Sequence, residues 1–523
     1  MNKWIVSLIA ILAFPGLYAQ QSVDSPKLVL SIVVDQLRGD YLQFFNSTFG
    51  EKGFKRLMNE GLVYHRLEYG FPNVGPATAA ATVYTGTYPY YHGIIADKRY
   101  DFETRREVSA VHDDNYLGNF TINRYSPLAL LSSTIGDELK IASGGKSDVF
   151  TIAPNPEEAI LSAGRYADAA FWLDDSNGRW ATTTYYKNIP WYVDRFNTTL
   201  AIGNNPERTW TPALSFYNGF PYTQYTTPFR HTITKGEYER FLKIKQSPFI
   251  NTEITNLAAN FFEYADFGKR MYPDFLAITY YAGNYKFTNN YDDFGWEIQD
   301  IYYQLDREIE KLLEIVDKKI GLKNVLIILS SNGYYESSAK LPSNFKPQGE
   351  FNPNQCIYLL NLYLMAIYGS GNWVDGYYNE QIYLNKKLIE NQNINQNEIL
   401  LKSSEFIARF SGIQEVTTAG QWFVDDAGRS VDFRRGMNKK ISGDIFIELQ
   451  PGWLVVNESQ SKKTDFVRNK AILSPLVFFG GNIRKEHVYR TVQATEIAPT
   501  VAYILRIKSP NAAKDAPLQE FLK

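Results

Sequence analysis

Leu28-Val-Leu-Ser-Ile-Val-Val34, closed by Asp35, leaves the chain few folds to choose from. The run has no polar alternation, so both faces of the strand must be covered, which is the setting of a central parallel strand. A carboxylate at the carboxyl end of such a strand stands where α/β sheets place their sites. Two further runs repeat the pattern, Phe275 to Tyr281 and Val325 to Ser330. Between them Trp296 to Lys318 carries Ile298, Ile301, Leu305, Ile309 and Leu312 at helical spacing, an amphipathic crossover helix. Leu476 to Phe479 reads as a last strand and Ala494 to Leu505 as a closing helix. Gly53 to Leu62 and the small-residue stretch Ala77 to Tyr84 read as helices near the start. The expected class is α/β, with a doubly wound, mostly parallel central sheet.

A chain of 523 residues, 44% hydrophobic and 21% charged, can bury a large core. Its formal net charge of -2 offers no basic field for nucleic acid and no polybasic membrane patch. Lys3, the short apolar run Trp4 to Phe14, and Gly16 to Ala19 form a signal-peptide pattern over 1–19. That run is too short to span a bilayer. The expectation is therefore an exported chain of residues 20–523, periplasmic or associated with the cell envelope, with no transmembrane segment. Cys356 is the sole cysteine, so no internal disulfide can form, and a buried, inert thiol is expected. Residues 101–229 are rich in Tyr, Asn, Thr and Pro and read as a cap inserted over the core. Residues 379–397 are polar and Asn-rich and read as a surface insertion.

The order of landmarks resembles a known family. Val33-Val34-Asp35-Gln36-Leu37-Arg38, Thr85-Gly86-Thr87-Tyr88-Pro89, His92-Gly93-Ile94-Ile95, Ala167 to Trp172, Ser442-Gly443-Asp444-Ile445 and Glu496-Ile497-Ala498-Pro499-Thr500 are similar to segments of the alkaline phosphatase superfamily. The likeness is to the phosphate-irrepressible alkaline phosphatases and the nucleotide pyrophosphatase/phosphodiesterases, and it spans about residues 30 to 510. It implies a parallel-rich sheet flanked by helices, and phosphate-ester hydrolysis by a Thr or Ser nucleophile at two zinc ions about 4 Å apart.

Carried over position by position, the resemblance implies a degenerate site. Asp35 keeps the first ligand position. Gly75 takes the nucleophile position (Val74 or Pro76 if the gap is set differently), and none of these has a hydroxyl. Thr78, nearby, is assigned to capping. Tyr280 and Asn284 replace an Asp and a His, Ser331 and Asn332 replace an Asp-His pair, and Leu473 replaces a last His. Asp97 replaces a phosphate-binding Asn, while Asn155 and Glu157 replace a Lys and an Arg. Two zinc ions ask for roughly six to eight ligands, and the five histidines of this chain (His65, His92, His112, His231, His487) fall on none of the ligand positions. The expectation is a pseudo-phosphatase without cofactor, binding a protein, glycan or small molecule through its cap. Trp172, Trp180, Trp191 and Trp210 of that cap are read first as core residues and only second as a contact face. The alternative is a phosphomonoesterase or phosphodiesterase with a relocated or non-zinc metal site at Asp35, Asp97 and Glu157, with Thr78 as displaced nucleophile.

Overall fold

The computed structural model describes residues 25–186, 189–214, 229–287, 294–335, 346–421, 429–457, 463–466 and 474–522. The signal-peptide stretch and Leu473 lie outside them. One ten-stranded sheet organises the chain. Its strands are β1 (Leu28–Asp35), β2 (Leu62–Glu68), β3 (Gly118–Asn119), β4 (Val149–Ala153), β5 (Ala169–Leu173), β6 (Trp180–Thr183), β7 (Asp274–Tyr281), β8 (Val325–Ser331), β9 (Ser474–Phe479) and β10 (Glu486–Gln493). The spatial order is β10-β2-β9-β8-β1-β7-β4-β5-β6-β3. The middle five strands, β8-β1-β7-β4-β5, run parallel. β9 is antiparallel to both of its neighbours.

Every residue of β1 and of β7 is buried, as their unbroken apolar runs require. Their register sets Asp35 beside Tyr281, so the ends of β1, β7 and β8 share one edge. Helix α1 (Pro76–Thr85) brings its start to that edge, and α2 (Pro156–Ala163) lies against it. Ala77, Ala79 and Ala81 have no side chain beyond Cβ, which lets α1 lie close to its neighbours. Helices α3 (Arg240–Lys245), α4 (Pro248–Tyr264) and α5 (Phe294–Lys319) follow, and α6 (Ile497–Leu505) closes the chain. On α5 the expected stripe of Ile298, Ile301, Leu305, Ile309 and Leu312 is buried throughout.

Three readings change. Leu62 opens strand β2 rather than ending a helix. Within the cap range 101–229, residues 149–183 supply β4, β5 and β6 of the main sheet, and Trp172 and Trp180 are fully buried there. Trp210 is also buried, leaving Trp191, at 59% exposure, as the one surface tryptophan of the four. The segment 379–397 supplies a buried strand, Gln381–Leu384, to a separate four-stranded sheet with its own apolar cluster. Short apolar stretches bounded by polar turns hide such strands from periodicity.

Truncation of the α5 stripe tests the packing. Leu305→Ala should cost about 2–5 kcal/mol, read as a lower denaturation midpoint in urea with an unchanged slope.

Candidate functional site

At the carboxyl edge, the chain leaves β1 through Gln36, which adopts a left-handed backbone (φ 63°). The carboxamide of Asn332 holds this turn from the facing strand end. Its Oδ1 accepts from the Gln36 backbone N–H at 3.0 Å and from the Tyr334 N–H at 3.2 Å. Its Nδ2 donates to Asp35 Oδ1, while Gln36 Nε2 stands 3.5 Å from Asp35 Oδ2. Asp35 is buried, so these amide donors meet a charge that would otherwise be costly to desolvate.

The other inherited positions are also occupied by internal contacts. Tyr280 is fully buried with its hydroxyl 2.8 Å from Thr255 of α4, and burial pushes its ionisation far above the usual phenol range. Asn284 donates through Nδ2 to the Tyr335 hydroxyl at 3.1 Å. Ser331 Oγ donates to the Leu37 carbonyl at 2.8 Å, and Tyr69 donates to the Ser331 carbonyl at 2.7 Å.

At the start of α1, Gly75 is the residue before the first turn. The Thr78 hydroxyl accepts from the Gly75 N–H at 2.8 Å and donates to the Gly75 carbonyl at 3.0 Å, so it is taken up by the helix cap. Asp97 Oδ1 accepts from the Ala77 N–H at 2.7 Å.

Asn155 precedes α2 and donates through Nδ2 to Glu158 Oε2 at 3.0 Å. Glu157 accepts from Ser109 Oγ at 2.5 Å, and burial pushes its carboxyl up from the ordinary range. Glu158, which the sequence reading passed over, is fully buried. Burial first, and then the charge of Asp35, hold its carboxyl well above the usual glutamate value. Asp97 and Glu157 act in the same direction. The carboxylates singled out from sequence thus all act on Glu158.

Lys245 was also missed. It lies at the end of α3, only 5% exposed, and donates to Asn155 Oδ1 at 3.2 Å while pairing with Asp175 at 2.6 Å. Its charge lowers the Glu157 carboxyl, opposing the effect of burial. A buried cation from another helix thus stands beside Asn155 and Glu157. No local motif around Lys245 marks this placement, which comes from tertiary packing alone.

The histidines are held elsewhere. His92 is buried, its Nε2 3.2 Å from Thr82 Oγ1 and its Nδ1 accepting from the Ile94 N–H at 3.1 Å. Burial drives its pKa down to about 3, so it is neutral and structural. His231 pairs with Glu297, His112 with Asp114, and His65 with His487. Among the described residues no group of three or more His, Cys, Asp or Glu side chains is arranged to hold a metal ion. Cys356 is buried, with its thiol pushed up to about 12.

A parallel sheet with Asp35 and the α1 start at its carboxyl edge defines the architecture of the alkaline phosphatase superfamily. The sequence profile of the type I phosphodiesterase / nucleotide pyrophosphatase family matches residues 29–472, and the chain belongs to that family. It is 30% identical over 534 residues to a protein of Myroides odoratus named calcium-transporting ATPase, covering 97% of this chain and 96% of the relative. It is 26% identical to alkaline phosphatase PafA of Elizabethkingia meningoseptica, over 100% of this chain and 99% of that one. The crystal structure of wild-type PafA superposes with a TM-score of 0.79 over 95% of this chain and 99% of PafA. Murine ectonucleotide pyrophosphatase / phosphodiesterase 5, at 12% identity, shares the fold with a TM-score of 0.51 over 92% of this chain and 96% of that one.

These matches correct one expectation. A chain without cofactor was expected from the lost ligands, but membership of this hydrolase family and end-to-end alignment with PafA favour a metal cofactor. The residues at the inherited positions do not fit a zinc pair. Asp35 alone keeps a carboxylate there, and Tyr280, Asn284, Ser331 and Asn332 are each engaged in the internal contacts described above.

Glu158 gives a measurable pH signature. Its folded carboxyl holds a proton above the ordinary value of 4.5, where the unfolded chain has already lost it. The native state then binds more protons than the unfolded state, so this group lowers stability as pH rises from 4.5 toward the folded pKa. Glu158→Gln keeps an acceptor for Asn155 and should flatten that decline, seen as a smaller loss of thermal midpoint between pH 4.5 and 8.

Proposed function

We propose that this chain is an exported phosphate-ester hydrolase whose reaction centre has moved away from the inherited zinc positions. Its full-length similarity to proteins named alkaline phosphatases supports the reaction class. The observation that carries the relocated site is Lys245, a buried cation that α3 sets beside Asn155 and Glu157 and that Asp175 pairs from its other side. A fixed positive charge in a partly desolvated wall favours an oxyanion much more than the same charge in water. Asp35 is the residue that would hold a divalent cation, and its carboxylate chemistry suits a hard ion such as Mg²⁺ or Ca²⁺. Residues 1–19 act in this reading as the secretion signal. In this reading the cap is what remains of 101–229 outside the strands that join the main sheet.

A second reading is favoured by the α1 start. Gly75 has no hydroxyl and the Thr78 hydroxyl is spent on the cap, so no side-chain nucleophile inherited from the family motif is in place. In that reading the frame binds a protein, glycan or small molecule without turnover, and the exposed Trp191 belongs to the contact surface.

One assay separates the two. Turnover of p-nitrophenyl phosphate and of bis(p-nitrophenyl) phosphate is measured with Mg²⁺, Ca²⁺, Mn²⁺ or Zn²⁺ added to protein of known metal content. The hydrolase reading expects cation-dependent turnover, abolished by Asp35→Ala and lowered about 10²-fold by Lys245→Met. Absence of turnover with every cation, or turnover indifferent to Asp35→Ala, leaves the non-catalytic reading.

A further inference from the structure

We propose that Asp97 is a built-in anion, holding in cis the place at the start of α1 that an external oxyanion would take. Three observations converge on it. Pro76 at the first helical position has no N–H, and the Ala77 N–H that follows points at Asp97 Oδ1 at 2.7 Å. A Cβ built on Gly75 would lie 3.4 and 3.5 Å from the two Asp97 oxygens, so the carboxylate fills the space directly before the helix. The segment carrying it is tied down on both sides. The Asp97 carbonyl accepts from the Ala110 N–H at 2.9 Å, and the next carbonyl, of Lys98, accepts from Asn379 Nδ2 at 3.0 Å.

The partial positive charge of a helix start favours a negative group and is strongest within the first turn. One carboxylate satisfies it. A second anion entering the same space would lose the Ala77 N–H and meet the charge of Asp97, with Asp35 and Glu157 also acting on the pocket. Asp97 thereby sets specificity by exclusion, keeping free phosphate and phosphomonoester dianions from the α1 start. Ala77, Gly75 and Asp97 form the contact, and Lys245 is engaged elsewhere, with Asp175 at 2.6 Å and Asn155 at 3.2 Å.

The inference stands on this geometry and does not depend on turnover. Inorganic phosphate is titrated calorimetrically into the full chain at matched ionic strength, using wild type, Asp97→Asn and Asp97→Ser. Both substitutions remove the charge and keep a neutral side-chain oxygen that can accept from the Ala77 N–H, so the helix start retains a cap. Phosphate should bind at least tenfold more tightly to one or both variants than to wild type. A smaller change in both, with native circular dichroism, overturns the proposal. Turnover is read on the same samples. Tightening without wild-type turnover leaves this inference standing and removes the hydrolase reading, while wild-type turnover without tightening does the reverse.

Discussion

The carboxyl edge of the sheet depends on how the charge of Asp35 is met. A buried carboxylate needs either a cation or hydrogen-bond donors, and leaving it with neither would cost several kcal/mol. Asn332 supplies the donor, and the same carboxamide accepts from the Gln36 N–H that follows. One side chain thus donates to the carboxylate and fixes the left-handed turn by which the chain leaves β1. Because β1 and β8 are neighbours in register, the contact needs no long reach. It joins the ends of β1 and β8.

From that clamp the rest of the charge distribution follows. With Asp35, Glu157, Glu158 and Asp97 close together, this edge is crowded with acids, and the Glu158 carboxyl is pushed up first by burial and then by the charges of its neighbours. Lys245 offsets part of this from α3, at the point where Asn155 links it to Glu158. The pocket is therefore not a blank version of a phosphate site. Its cation comes from a different helix and its helix start is filled by the chain's own carboxylate. These changes support one another, since a free helix start beside so many acids would be a weak place for a dianion.

How much of this was legible in the sequence depended on distance along the chain. β1, β7, β8 and α5 announced themselves as unbroken apolar runs or a long stripe, because their burial leaves no choice of residue. β2 and β4 to β6 did not, because short buried strands between polar turns carry little periodicity. At the site, Gly283 and Gly333 set the register that made Asn284, Ser331 and Asn332 readable as replacements. Gly333 is in the left-handed region, and a Cβ on Gly283 would collide with the Gln36 side chain. The Asn332 to Asp35 contact spans 297 residues and the Lys245 to Asn155 contact spans 90, and no local pattern encodes either. Glu158 was closer to hand, one residue past Glu157, but its significance lies in burial, which sequence alone does not state.

The replacements at the inherited positions are not neutral gaps. Tyr280 bonds Thr255, Asn284 bonds Tyr335, Ser331 bonds the Leu37 carbonyl and Asn332 bonds Asp35. Each has been absorbed into the packing of the edge it occupies. A metal-ligating side chain introduced at one of them, an aspartate at Tyr280 or Ser331 or a histidine at Asn284 or Asn332, would have to break an existing hydrogen bond and, at Tyr280, also leave a buried volume unfilled. These contacts hold the carboxyl edge together through hydrogen bonds, so each of these side chains is already committed before any ligand arrives.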